Sequence, residues 1–311
     1  MLPRKGSQWK LIKRDFVRNR VLYLMVLPVL AFYIIFSYVP MFGVIIAFKD
    51  YSPAKGILGS PFTDMYGLRH FADFMTSPFF GRLIRNTVLI SLYSLVFAFP
   101  APILFALLLN ELQNKMFKRI TQTISYFPHF VSLVVVCGML TDFSLSDGLF
   151  NQVRAVFGLE AKSLLQETAY FRTIYVSSGV WKEVGWGSII YLAAIAGIDS
   201  QLYEAAALDG AGRLRSTVHI TLPSIKPTIV ILFIMQVGNM LSVGSEKIIL
   251  LQNPATLEVA DVISSYVYRR GLLEFSWSFS SAVGLFNSII NFALVFMANG
   301  ISRKLTESSL F

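Results

Sequence analysis

Residues 21–48 read VLYLMVLPVLAFYIIFSYVPMFGVIIAF, a run without a single Asp, Glu, Lys or Arg. A bilayer core about 30 Å thick needs about 20 mostly apolar residues per helix, and this run exceeds that. The preceding segment, Met1 to Arg20, is basic. A cleaved signal peptide would show an apolar region of only about 7–15 residues and a small-residue cleavage site. Neither feature is present, so the run reads as a retained first membrane helix.

Working outward, five more segments have the same character: Ile84–Asn110, Ile124–Leu140, Thr173–Ala196, Thr228–Leu250 and Trp277–Asn299. The third is short, and the fourth carries Lys182 and Glu183. The expected fold is an all-α integral membrane protein of about six transmembrane helices. Its expected organisation is a cytoplasmic tail (1–20), a transmembrane domain (21–300) and a second cytoplasmic tail (301–311). With six spans both termini share a side. That side carries 15 Lys and Arg against 9 on the other, so the positive-inside rule places both termini in the cytoplasm.

The composition agrees with this reading. Of 311 residues, 55% are hydrophobic and only 14% charged, with the charges clustered between apolar runs. The net charge of +9 lies beside those runs, where membrane orientation explains it, and nucleic-acid binding is excluded. Cys137 stands alone, ruling out an intrachain disulfide or Cys-rich metal site. His70, His129 and His219 show no metal-ligand spacing. Outside the spans, residues 49–82 mix Pro and Gly with aromatics and read as an ordered loop. Residues 256–275 read as a helix along the outer surface.

One loop differs from the rest. Between Ile198 and Pro227, Asp199 or Ser200 can cap a short helix through Asp209, which Gly210 would end. The chain then turns and meets Pro223 and Pro227 at the start of the fifth span. Leu202, Ala205, Ala206 and Asp209 share one face of that helix, low in profile and suited to a groove on a partner, with Glu204 beside it as a pairing charge. Gly210 permits a sharp turn and close approach.

The loop reads Glu204-Ala205-Ala206-x-x-x-Gly210, nine residues, then Ile220-x-Leu222-Pro223. It resembles, without a mismatch, the EAA loop of bacterial binding-protein-dependent importer permeases. The stretch VWKEVGWGSIIYLAAIAGIDSQLYEAAALDGAG (residues 180–212) and the terminal TESSLF are similar to the maltose-type carbohydrate permeases, particularly their LplB-like branch. The sequence departs at Gly197-Ile198-Asp199, where that family usually has a proline. The resemblance implies a coupling helix that docks into an ATP-binding-cassette ATPase dimer. It also implies a second homologous permease, an extracytoplasmic solute-binding protein and a carbohydrate cargo, in a bacterial cell membrane. Having no phosphate-binding loop G-x-x-x-x-G-K-[ST], the chain is not expected to hydrolyse ATP or hold a cofactor. ATP and Mg belong to the partner.

For the substrate path the candidates are Trp181, Trp186, Tyr191, Asn239, Ser242, Asn287 and Asn291, aromatics that can stack on a pyranose and polar groups that can bond its hydroxyls. Packing or an interfacial belt is an alternative for the aromatics, and interhelical bonding for the asparagines. Lys182-Glu183 and Glu246-Lys247, costly in lipid, are expected to pair with neighbouring chains. A non-sugar cargo also stays open, since EAA loops occur in amino-acid, peptide and phosphate permeases. A secondary transporter would more often show repeats and deep acids, and an enzyme a convergent catalytic set.

Overall fold

The computed structural model describes residues 14–306 of the chain, with burial resolved for side chains through Lys304. Arg4, Lys5, Lys10 and Lys13 of the basic tail, and the end of the C-terminal tail, lie outside the described residues. The chain divides into two compact units, residues 1–70 and 71–311.

The first unit is dominated by α1 (Arg20–Phe48), 29 residues long. Its side chains are exposed almost throughout, as a helix that has lipid or protein for solvent requires. The loop after it is ordered, as expected. Lys49 forms an antiparallel bridge with Phe62. Its ammonium donates to the carbonyls of Ile57 at 2.9 Å and Leu58 at 3.2 Å.

The second unit contains α2 (Phe80–Glu111), then α3 (Lys115–Phe130) and α4 (Leu133–Phe143), which meet at 96°. After them come α5 (Thr168–Ala196) and α6 (Ser200–Leu208). The next are α7 (Arg213–Gly238) and α8 (Ser245–Leu251). Last are α9 (Ile263–Tyr268) and α10 (Trp277–Thr306). No strand ladder occurs among the described residues; α1, α2, α7 and α10 are long and apolar enough to cross a bilayer, and the α3–α4 pair makes five if it is one span. Helix α5 has the length, 29 residues or about 43 Å at ~1.5 Å per residue, but carries Arg172, Lys182 and Glu183.

Two expected spans are corrected. The segment Ile124–Leu140 is not one helix but straddles the bend. Helix α3 ends at Phe130, just past Pro128, and Ser132 caps α4 by accepting the Val135 amide at 3.3 Å. An N-cap side chain satisfies an amide that the new helix leaves unpaired, so a serine at this point favours a restart over a continuation. The segment Thr228–Leu250 is likewise interrupted at 239–244, between α7 and α8. The surface helix expected over 256–275 is a set of short helices, Leu257–Ala260, α9 and the turn Arg269–Leu273.

Prolines shape the long helices in one repeated way. In α1, α2 and α7 a π turn ends two residues before a proline: Tyr38 and Pro40, Ala98 and Pro100, Thr221 and Pro223. Proline cannot bond the carbonyl four residues back, and its ring clashes with that oxygen. The widened turn moves the carbonyl aside and lets each helix run on.

Packing in this unit gathers around three apolar clusters. One joins Ile103 and Ala106 of α2, Tyr191 and Ile195 of α5 and Ile225 of α7. Another surrounds Cys137, Phe171, Tyr175 and Ile248. The third holds Phe74, Leu83, Tyr266 and Val283. Helix α3 crosses α5 at Gly185, where any Cβ would overlap the Ser125 carbonyl. Small residues at such crossings are how membrane helices gain dispersion contact when lipid supplies no hydrophobic drive.

Candidate functional site: an exposed elbow and a polar wall in the membrane segment

The elbow between α5 and α7 is built as its sequence suggests. Asp199 is the N-cap of α6, its carboxylate accepting the Gln201 amide at 3.0 Å. At the other end the Ala211 amide donates to the Ala206 carbonyl at 2.9 Å and the Gly210 amide to Ala207 at 3.1 Å. These two bonds form a Schellman closure, which needs a left-handed residue at its turn; Gly210 has φ +75°. A Cβ would strain that conformation by about 1–2 kcal/mol.

Two bonds beyond the motif make the elbow rigid. The Tyr203 and Thr221 hydroxyls lie 2.8 Å apart, tying α6 to α7. The Thr217 hydroxyl donates to Glu111 at 2.9 Å, tying α7 to the end of α2. Helix α7 then continues without interruption from the elbow to Gly238, its Ile225 anchored in the apolar cluster. Helix α6 is therefore tied to a long helix packed into the apolar core of this unit.

The outward side of the elbow is apolar at its tips. Leu208 is 91% exposed and Leu214 78%, flanking Gly210. Leu202, Glu204, Ala205 and Asp209 are exposed, whereas Ala206 is half-buried and turned partly inward. Ile220 is half-buried, and Leu222 and Pro223 are exposed where the π turn ends. The sequence reading missed Tyr203, Thr217 and Glu111, whose roles depend on contacts between elements. It also missed the two exposed leucines.

A second polar constellation lies where α5 crosses the α3–α4 bend. The Lys182 ammonium donates to the His129 carbonyl at 2.6 Å and the Pro128 carbonyl at 3.4 Å. Those carbonyls end α3, and a cation is what an exposed helix C-terminus favours. Glu183 accepts from His129 at 2.8 Å, and Trp186 stacks on the same imidazole at 4.5 Å. Phe130 meets Trp186 edge-on at 5.4 Å. Lys247 in turn donates to the Tyr175 carbonyl at 2.6 Å. Lys182, Glu183 and Lys247 thus find partners within this chain, where pairing with neighbouring chains was expected.

The interruption at 239–244 forms the facing element of this polar region. Asn291 accepts the Leu241 amide at 3.0 Å and donates to the Ser242 hydroxyl at 3.0 Å. Asn287 donates to the Leu241 carbonyl at 3.4 Å, and Ser264 to Val243 at 2.6 Å. Ser91 donates to the Met240 carbonyl. Irregular backbone at membrane depth needs such partners or a wet cavity. Asn239 and Ser242 border a cavity of about 170 Å³ that also meets Ser91, Tyr175 and Gln236.

The path candidates therefore separate. Asn239 and Ser242 border the polar cavity, Trp181 borders an apolar cavity of about 420 Å³, and Trp186 is exposed beside His129. Asn287 and Asn291 are interhelical stitches, the alternative their sequence left open. Tyr191 is 3% exposed inside the α2–α5–α7 cluster, a core side chain away from any opening. Among the described residues no group of His, Cys, Asp and Glu can hold a metal.

Apolar spans, interrupted helices lined with polar groups and an elbow ending outside them describe a multi-pass membrane protein. Residues 98–307 match the family described as binding-protein-dependent transport system inner membrane component, and the chain belongs to that family. It is similar to Protein LplB of Bacillus subtilis, 43% identical over 99% of this chain and 95% of the relative. The polygalacturonan/rhamnogalacturonan transport system permease protein YteP of the same organism is 44% identical over the same shares. Among solved structures, a bacterial transporter that imports the acidic polysaccharide alginate matches with a TM-score of 0.86 at 42% identity, covering 95% of this chain and 99% of that one. A permease of this family works with a second permease, an ATPase and a solute-binding protein.

Proposed function

We propose that this chain is one of two permeases forming the translocation path of an ATP-driven oligosaccharide importer, crossing the membrane six times with both termini in the cytoplasm. The sixth crossing in this count is α5, whose charges are met by Asn86, His129 and the carbonyls of α3. Oligosaccharide cargo is supported by the relatives, one named for polygalacturonan and rhamnogalacturonan transport and another found with an alginate pentasaccharide-bound periplasmic protein. ATP and Mg are held, and ATP hydrolysed, by the partner ATPase.

The observation that carries this reading is the exposed elbow at Gly210, continuous with α7 and pinned to α2. Nucleotide-driven closure of the ATPase moves the elbow through Leu208, Ala205, Asp209 and Leu214, with Glu204 pairing a basic residue of the partner. Helix α7 carries that displacement to the interruption at 239–244. This is a two-state shift, biased by nucleotide from one side and by loaded binding protein from the other. Trp186, Trp181, Asn239 and Ser242 form the part of the path wall contributed by this chain.

The test is substrate-stimulated ATPase activity of the reconstituted complex, wild type against Gly210→Asp. Nothing lies within 4 Å of a Cβ at Gly210, so the chain itself has room for the new side chain. Loss of stimulation with an intact complex is expected. Undiminished stimulation would make the elbow a mere connector.

A further inference from the structure

The outer end of the second unit holds six arginines, and four of them are neutralised by carboxylates. Arg82 and Arg269 share the buried carboxylate of Asp261, at 3.3 and 2.7 Å. Arg85 lies 3.9 Å from Glu258, and Arg270 pairs with Glu274. Arg154 is held by the Tyr170 hydroxyl and the Glu160 carbonyl and stands over the Tyr170 ring, and it lines none of the cavities described. Arg172, near the start of α5, also lacks a carboxylate but lines a cavity. It has no carboxylate within ion-pair distance among the described residues, and its one hydrogen-bond partner there is the neutral side chain of Asn86, at 2.9 Å.

That bond fixes the guanidinium without discharging it. Asn86 is fully buried, and its amide nitrogen donates to the carbonyls of Glu258 at 2.8 Å and Asp261 at 3.0 Å. Both N–H donors are spent, so only its oxygen is left to face Arg172. The Arg172 Nε is buried with no partner. Arg172 lines a cavity of about 590 Å³ with Tyr93, Phe97, Thr168, Thr173 and Ser177. That volume lies within the roughly 300–1,000 Å³ of small-molecule sites. An aimed, unneutralised guanidinium beside two aromatic rings and three hydroxyls is the donor set for a ring that carries both hydroxyls and a carboxylate.

We propose that this cavity is a subsite for the carboxylate of a uronic-acid residue, held by Arg172, and that it makes the permease selective for acidic over neutral oligosaccharides. The proposal rests on the oligosaccharide reading above. Thr168 and Thr173 bond sugar hydroxyls, and Tyr93 gives the ring a face. Fixed by Asn86, the guanidinium is already oriented before cargo arrives, which spares the ordering cost of a free arginine.

The experiment is uptake by proteoliposomes holding the complete complex and its binding protein, with a tetragalacturonate and its carboxyl-reduced neutral counterpart as the two probes. Wild type and Arg172→Gln are compared, each in vesicles with and without anionic lipid. Losing one partner of a desolvated charge pair is expected to lower acidic uptake at least about tenfold. ATPase stimulation by the neutral probe would stay within about twofold of wild type, showing an assembled complex, with Arg172→Lys restoring part of the acidic uptake. Equal acidic uptake in wild type and Arg172→Gln would overturn the subsite. So would a loss that wild type reproduces when anionic lipid is withheld, because Arg172 would then be holding a lipid headgroup. Failure of both probes to be taken up by wild type would overturn the oligosaccharide reading and the subsite with it, whereas neutral uptake alone would sink only the subsite.

Discussion

At the scale of single residues, the charges inside the membrane segment do structural work with main-chain atoms. Lys182 is the clearest case. Its ammonium meets two carbonyls that α3 leaves open because the chain bends at Val131. Replacing it by methionine preserves the stem and removes the donor. Leaving buried acceptors unmet costs about 1–3 kcal/mol, so Lys182→Met should lower the Tm of the purified complex by several degrees. Glu183→Gln keeps a polar acceptor beside His129 and should shift it less. Equal Tm values for wild type and Lys182→Met would mean that water already satisfies those carbonyls. Little of this was visible in the sequence. Lys182-Glu183 stood out as costly, but its partners lie 53 and 54 positions away. His129 looked isolated for the same reason.

At the scale of elements, the existence of the apolar segments was legible and their interruptions were not. A hydropathy sum over about 20 residues does not resolve an unwound link of a few residues when apolar side chains remain in it: Val131 at one break, Met240, Leu241 and Val243 at the other. Local chemistry held the signal. Ser132 is a cap, and Asn239, Ser242 and Gly244 favour a stop and turn over a continuing helix. The elbow was legible almost residue by residue because its instructions are local: Asp199 opens it and Gly210 closes it. The stitches from α10 were not, since a sequence position says nothing of the helix opposite. They matter energetically. Asn291→Leu removes the acceptor of the Leu241 amide and the donor to Ser242 together. The expected result is a loss of about 2–4 kcal/mol from two unmet polar contacts. Amide hydrogen exchange at 239–244 should quicken by an order of magnitude or more, while α6 stays as protected as in wild type. Unchanged exchange at the break would show that its geometry is set by α7 and α8 alone.

At the scale of the whole molecule, the charge asymmetry and the six-crossing count make one joint claim that labelling can decide. Cys137 is the sole native thiol and is buried, so a Cys137→Ser background gives a clean scan. Cysteines placed at Lys55, Lys162 and Arg270 should react with a membrane-impermeant maleimide added to intact cells. Cysteines at Ser7, Lys115, Arg213 and Ser308 should react only after the membrane is opened. The informative pair is Lys162 and Arg213, which bracket α5. This is the helix whose charges keep it from reading as a span by apolarity, and its crossing depends on the internal partners of Arg172, Lys182 and Glu183. Opposite accessibility at that pair means α5 spans the bilayer and the elbow faces the ATPase. Equal accessibility would leave α5 within the membrane plane or on one side. The elbow would then share a side with the loop around Lys162, and a push at Gly210 would have no helix leading across the membrane.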